Sequence, residues 1–161
     1  MDIFETVVAK AAGISADSPL AGVLLGRSGI LELTEKSHDA TLRPNEPGGL
    51  ALAERAALAC RIALLNNDAV LARHYESLIG GGDSAIADIG FDGGEDIRLR
   101  AILRHADLVT VNPKEAVSGD VSALKSAGIA DADIVRLSQL VAFVSYQIRV
   151  VAGLRLMAGV A

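Results

Sequence analysis

Apolar residues along this chain recur three and four positions apart, the spacing of one face of a helix. Ile3, Val7, Val8 and Ala11 predict a first helix from Asp2 to about Ala12, with Gly13 as its stop. Asp17 or Ser18, followed by Pro19, reads as the cap of a short helix to about Leu25. Ser28 then reads as the cap of a further segment to about Thr41. Arg43 to Gly49 holds two prolines and two glycines and reads as a loop. A helix over Leu50–Leu65 carries Leu52, Ala56, Ala59, Ile62, Ala63 and Leu65 on one broad face. Asn66-Asn67 is a turn, and Asp68 or Asn67 caps a second helix to about Ile79, which Gly80-Gly81-Gly82 ends. The two form a helical hairpin with a very short connection.

Past the triple glycine, Asp83 to Asp96 reads as a connector with one helical turn at Ser84–Asp88. Glu95 to about Val109 reads as helix, with Ile97, Leu99, Ile102, Leu103 and Ala106 on one face, and Asn112-Pro113 breaks it. Asp120 is expected to cap a helix over Val121–Ala127, closed by Gly128. The last helix runs from about Asp131 to Met157. Val135, Leu137, Leu140, Val141, Phe143, Val144, Ile148, Val150, Val151 and Leu154 cover nearly its whole circumference. A helix apolar all round is buried on all sides. In a chain of 161 residues, part of that burial is expected from another subunit; the alternative is a helix at the centre of its own bundle.

Composition sharpens the fold class. The chain is 51% hydrophobic but only 3% aromatic, so its core is built from Leu, Ile, Val and Ala, which favours an all-α bundle in one domain. The net charge of −5 and the lack of a basic stripe or aromatic platforms argue against a nucleic-acid partner. Gln147, Arg149 and Arg155 interrupt the apolar stretch from Leu137 to Ala161. They argue against a membrane span, because a mid-bilayer charge costs roughly 2.5–3.5 kcal/mol. An acidic start (Asp2, Glu5) is unlike an export signal, and Cys60 is the only cysteine; both lead to an expected cytoplasmic location.

Two segments carry a resemblance. Glu54 through Tyr75 places a Glu early in one helix, then a turn at Asn66-Asn67, then a helix opening at Asp68 with His74 near its end. Asp120 to Leu154 has a Leu124 to Gly128 helix end, an acidic restart at Asp131 and a long helix with Arg149. Together they resemble the alkylhydroperoxidase D/carboxymuconolactone decarboxylase family, in a branch that accompanies alkylhydroperoxidase-domain partners. The Arg98–Pro113 segment fits that family's connecting helix. The resemblance implies an AhpD-like helical bundle of residues 1–161, with an N-terminal helical extension (1–49) on a core (50–161). It also implies assembly into homodimers, trimers or hexamers through the C-terminal helix, and an antioxidant, peroxidase-related setting.

In redox-active members of that family, a Cys-x-x-Cys opens the second hairpin helix, beside a Glu and a relay His. Glu54 is retained here. The cysteine positions fall on Asp68 and Leu71, and the relay position on Tyr75, with His74 adjacent. Neither Asp68 nor Leu71 can carry dithiol chemistry. Cys60, in mid-helix among apolar neighbours, reads as a small buried hydrophobe rather than a nucleophile. Three readings stay open: a peroxidase relative without its activity, a cofactor-free lyase or isomerase, or a non-catalytic partner or small-ligand-binding subunit. In the lyase reading Glu54 and His74 supply acid–base groups, and Arg149 clamps a small carboxylate. No cofactor is implied. His38 and His105 lie on other helices, without ligand-like spacing to His74, so no metal site is expected. Gly80–Gly82 and Gly93-Gly94 lack a following Lys-Ser/Thr and a preceding strand, which removes a phosphate-loop reading.

Overall fold

The computed structural model describes residues 1–159; residues 160–161, the tail of the apolar stretch, lie outside the described part. It is all-helical, with no strand among the described residues. The α-helices are α1 (Val7–Ala12), α2 (Ala21–Leu25), α3 (Ser28–Leu42), α4 (Leu52–Leu65), α5 (Ala69–Glu76), α6 (Ile97–Val111), α7 (Ser118–Ser126) and α8 (Asp131–Ala158). Short 3-10 turns precede α1, follow Asp83 and start at Pro113.

Side-chain oxygens set several helix starts by accepting N–H groups that a first turn leaves unpaired. Thr6 accepts from Ala9, Asp68 from Leu71 and Asp96 from Leu99. Three sequence expectations shift. Neither Asp17 nor Ser18 caps α2, which begins at Ala21; the Ser18 hydroxyl instead accepts the Ser15 N–H. Ser28 is the first residue of α3 rather than its cap. Asp120 lies inside α7, which starts at Ser118, and its carboxylate reaches back to the Val117 N–H. Gly128 ends α7 at φ 82, a left-handed turn that lets Ile129 fold back into the core.

Helices α4 and α8 form the centre. Helix α4 packs on α5 and on the 3-10 turn at Ser84–Ala87, and α8 contacts α1, α3, α4 and α6. One continuous core joins Ile3, Val8 and Leu42 to Leu58, Ile102 and Leu140, so residue 49 is not a packing boundary.

Within this chain, helix α8 is buried along one side. Ile134, Leu137, Leu140, Val141, Val144, Gln147, Ile148, Val151 and Leu154 form a single buried stripe at three- and four-residue spacing. Val135, Tyr146, Leu156 and Met157 face outward and are exposed. The helix is long and apolar enough to cross a membrane by length and composition, but its buried stripe is taken up by the chain's own core.

Two arginines staple the bundle from within. Arg61 on α4 is buried and makes paired bonds of 2.7 and 2.6 Å to Asp107 on α6, and it also donates to the carbonyls of Ile86, Asp88 and Ile89. Arg55, one and a half turns earlier, donates to the carbonyls of Leu50, Thr41 and Pro47 and so holds the 43–51 loop.

Candidate functional site

The α4–α5 hairpin forms as the sequence implies, with Asp68 at the α5 start and Leu71 fully buried one turn on. Asp68 is not free to react. Its carboxylate caps the Leu71 N–H at 3.0 Å and takes two bonds from the Arg155 guanidinium, at 2.9 and 3.1 Å. Arg155 also donates twice to the Ala11 carbonyl, so this pair ties α5, α8 and the end of α1 together. Glu54 lies in the first turn of α4 and Asp68 just beyond its last, so about 16 Å of helix separates them.

Glu54, in the first turn of α4, is held by Arg98 of α6 through bonds of 2.8 and 3.2 Å. His74 is engaged elsewhere. Its Nε2 lies 3.0 Å from Nε2 of His38 on α3, a partner that sequence spacing gave no reason to expect. No hydrogen bond joins Glu54 to His74 among the described residues. Arg149 is exposed, its Nη1 donates to the Ser145 carbonyl at 3.3 Å, and no carboxylate pairs with it among the described residues. The expected Glu54–His74–Arg149 grouping is therefore not assembled.

The structure gathers a different polar cluster. Tyr75 is fully buried, stacks on His38 with ring centroids 6.1 Å apart, and meets His74 edge-on at 5.2 Å. Its hydroxyl donates to the side-chain oxygen of Gln147 on α8. Gln147 is 0% exposed, and its Nε2 has no partner. Burial pushes the Tyr75 phenol well above its usual range, so it stays protonated. Burial first, and then the nearby His38, Arg43 and Lys10, lower His74 to about 4. A hydrogen bond between the two Nε2 atoms needs one ring to donate and the other to accept.

Cys60 is 4% exposed, and burial followed by the Glu76 charge raises its thiol pKa. His105 on α6 is buried away from this cluster, and burial lowers its pKa. Among the described residues no set of three or more His, Cys, Asp or Glu side chains is arranged to hold a metal.

Beside a cavity of about 410 Å³ bordered by Cys60, Arg73 and Glu76, two other open spaces bear on binding. A cavity of about 610 Å³ separates α6 from α7, but its Arg104 is paired with Asp120, and its Arg100 donates to the Gly94 carbonyl. The second is a pair of adjoining cavities between α3 and α8. Its apolar half, about 470 Å³, is lined by Ile30, Leu33, Phe143 and Tyr146, with a Thr34–Tyr146 hydrogen bond of 3.0 Å in its floor. The other half, also about 470 Å³, is lined by Thr41, Pro44, Gln139, Arg55 and Arg136, and the halves share Ser37 and Ala142.

Sequence reasoning missed His38, Gln147, Arg55 and Arg136. The signal was present for the first three. His38 continues the Leu31–Thr34–Leu42 stripe, Gln147 falls on the α8 stripe, and Arg55 interrupts an otherwise apolar α4 face. Comparison with family models, with curated proteins and with solved structures finds no match.

Proposed function

We propose that this chain is a thiol-independent member of the alkylhydroperoxidase D/carboxymuconolactone decarboxylase family that acts as a binding subunit rather than a peroxidase. The observation that carries this reading is the Asp68–Arg155 pair. At the helix start where the resemblance puts the first of two sulfurs, a carboxylate is locked to a guanidinium, and Leu71 is buried at the second. The one thiol, Cys60, lies on the other hairpin helix with its thiolate disfavoured by burial. The lyase reading needs Glu54 as an acid or base, and Glu54 is committed to Arg98.

Self-association through α8 belongs to the same proposal. Leu156 and Met157 are 71% and 59% exposed at its C-terminal end, which favours a second copy or an alkylhydroperoxidase-domain homologue against that end. A cytoplasmic setting accords with a single, unpaired cysteine. The test is peroxide consumption with a dithiol reductant, alongside molar mass from light scattering. The expected result is no turnover above a Cys60→Ser control, and a multiple of the 16.6 kDa chain mass that Leu156→Glu reduces. Robust turnover lost in Cys60→Ser would overturn the redox-inactive reading.

A further inference from the structure

Buried arginines in this fold are not treated alike. Arg61 is 2% exposed and matched by the paired Asp107 carboxylate. The more exposed Arg155, Arg98 and Arg104 each have a carboxylate partner too. Arg55 is 3% exposed and has only carbonyl acceptors: Leu50 for Nε, Thr41 for Nη1 and Pro47 for Nη2. A guanidinium has five N–H donors, so two remain beyond these three bonds. Carbonyls satisfy hydrogen bonding but do not cancel a buried charge.

The surroundings sharpen the imbalance. Burial, then Arg136, lower the Arg55 pKa, while Asp133 and Glu54 oppose them. Arg136 borders the same cavity, while its Nη1 is held 2.9 Å from Asp133, whose carboxylate also accepts the Gly49 N–H. Two guanidiniums thus line one cavity, Arg136 paired with Asp133 and Arg55 without a carboxylate of its own. Glu46 is the acidic residue lining that cavity, and it is exposed at the rim.

We propose that the α3/α8 groove binds an amphipathic organic monocarboxylate. Its carboxylate lies against Arg55 and Arg136, and its apolar chain runs past Ala142 along Leu33, Ile30, Phe143 and Tyr146. A planar carboxylate matches the guanidinium fork and supplies the missing charge. The continuous apolar half of the groove selects a hydrocarbon chain over a small hydrophilic acid. Asp133 and Glu46 disfavour a dianion such as phosphate. This inference specifies the ligand of the binding role proposed above and rests on it, but its test is independent of thiol chemistry.

The experiment is calorimetric titration of the full chain with decanoate at pH 7.5, beside acetate, decanol and inorganic phosphate. Arg55→Gln would release the 43–51 loop, so the informative variants are Arg136→Gln, Ala142→Trp to block the junction of the two halves, and Arg100→Gln in the α6/α7 cavity as control. The expected result is saturable decanoate binding, at least tenfold tighter than acetate or decanol. Arg136→Gln should weaken it about tenfold, Ala142→Trp should abolish it, and Arg100→Gln should leave it unchanged. The proposal is overturned by no decanoate binding, by equal affinity for decanol or phosphate, or by binding that survives both groove variants. Such a failure, with peroxide turnover still absent, would remove the ligand and leave the redox-inactive reading standing.

Discussion

His74 makes folding sensitive to acid in a defined window. Its pKa falls from 6.5 to about 4 in the folded chain, chiefly through burial and then through His38, Arg43 and Lys10. Because the folded value is the lower one, the unfolded chain binds more protons between these limits. The contribution is complete above pH 6.5 and is lost as pH falls toward 4. A shift of roughly 2.5 units corresponds to ~3.4 kcal/mol, and solvent access to a half-buried ring trims this to about 2 kcal/mol. Acidic residues titrate in the same range, so the informative quantity is the difference between wild type and His74→Asn. Urea unfolding of both proteins from pH 7.5 to 4.5 measures it. Wild type should lose about 2 kcal/mol more than the variant over that range. Parallel curves, or a wild type that gains on the variant in acid, would refute the burial argument.

Two further outcomes follow from the buried polar groups. Asp68→Ala removes a cap and strands the partly buried Arg155 charge, so unfolding free energy should fall by about 3–5 kcal/mol in chemical denaturation. Tyr75→Phe takes away the one bond of Gln147 and should cost roughly 1–3 kcal/mol; adding Gln147→Leu should recover most of that loss in a double-mutant cycle.

Much of the fold was legible because periodicity and caps agreed. Asp68, one of the two residues expected to cap the second hairpin helix, does so, while Asp96, read as lying inside a helix from Glu95, is the cap of α6. The misplaced start of α7 has a local cause: an Asp can serve a helix from inside its first turn, as Asp120 does by bonding the Val117 N–H, and sequence does not distinguish the two positions. The α8 face pattern was hidden because its outward residues, Val135, Tyr146 and Leu156, are also apolar; only coordinates separate the stripe that enters this core from the one left outside. Site residues fared worse, since a charge's role depends on partners far away in sequence. Glu54 meets Arg98, His74 meets His38 and Asp68 meets Arg155, and no spacing rule links such pairs.

The central claim is that the hairpin offers no reactive sulfur, and the fate of Cys60 under peroxide tests it most directly. The intact chain is exposed to a few equivalents of hydrogen peroxide at pH 7, trapped with a sulfenic-acid reagent and weighed by mass spectrometry. Cys60, 4% exposed with its thiolate disfavoured, should stay unmodified over minutes and become reactive only on unfolding. Stoichiometric trapping of Cys60 within seconds in the folded chain would contradict the account.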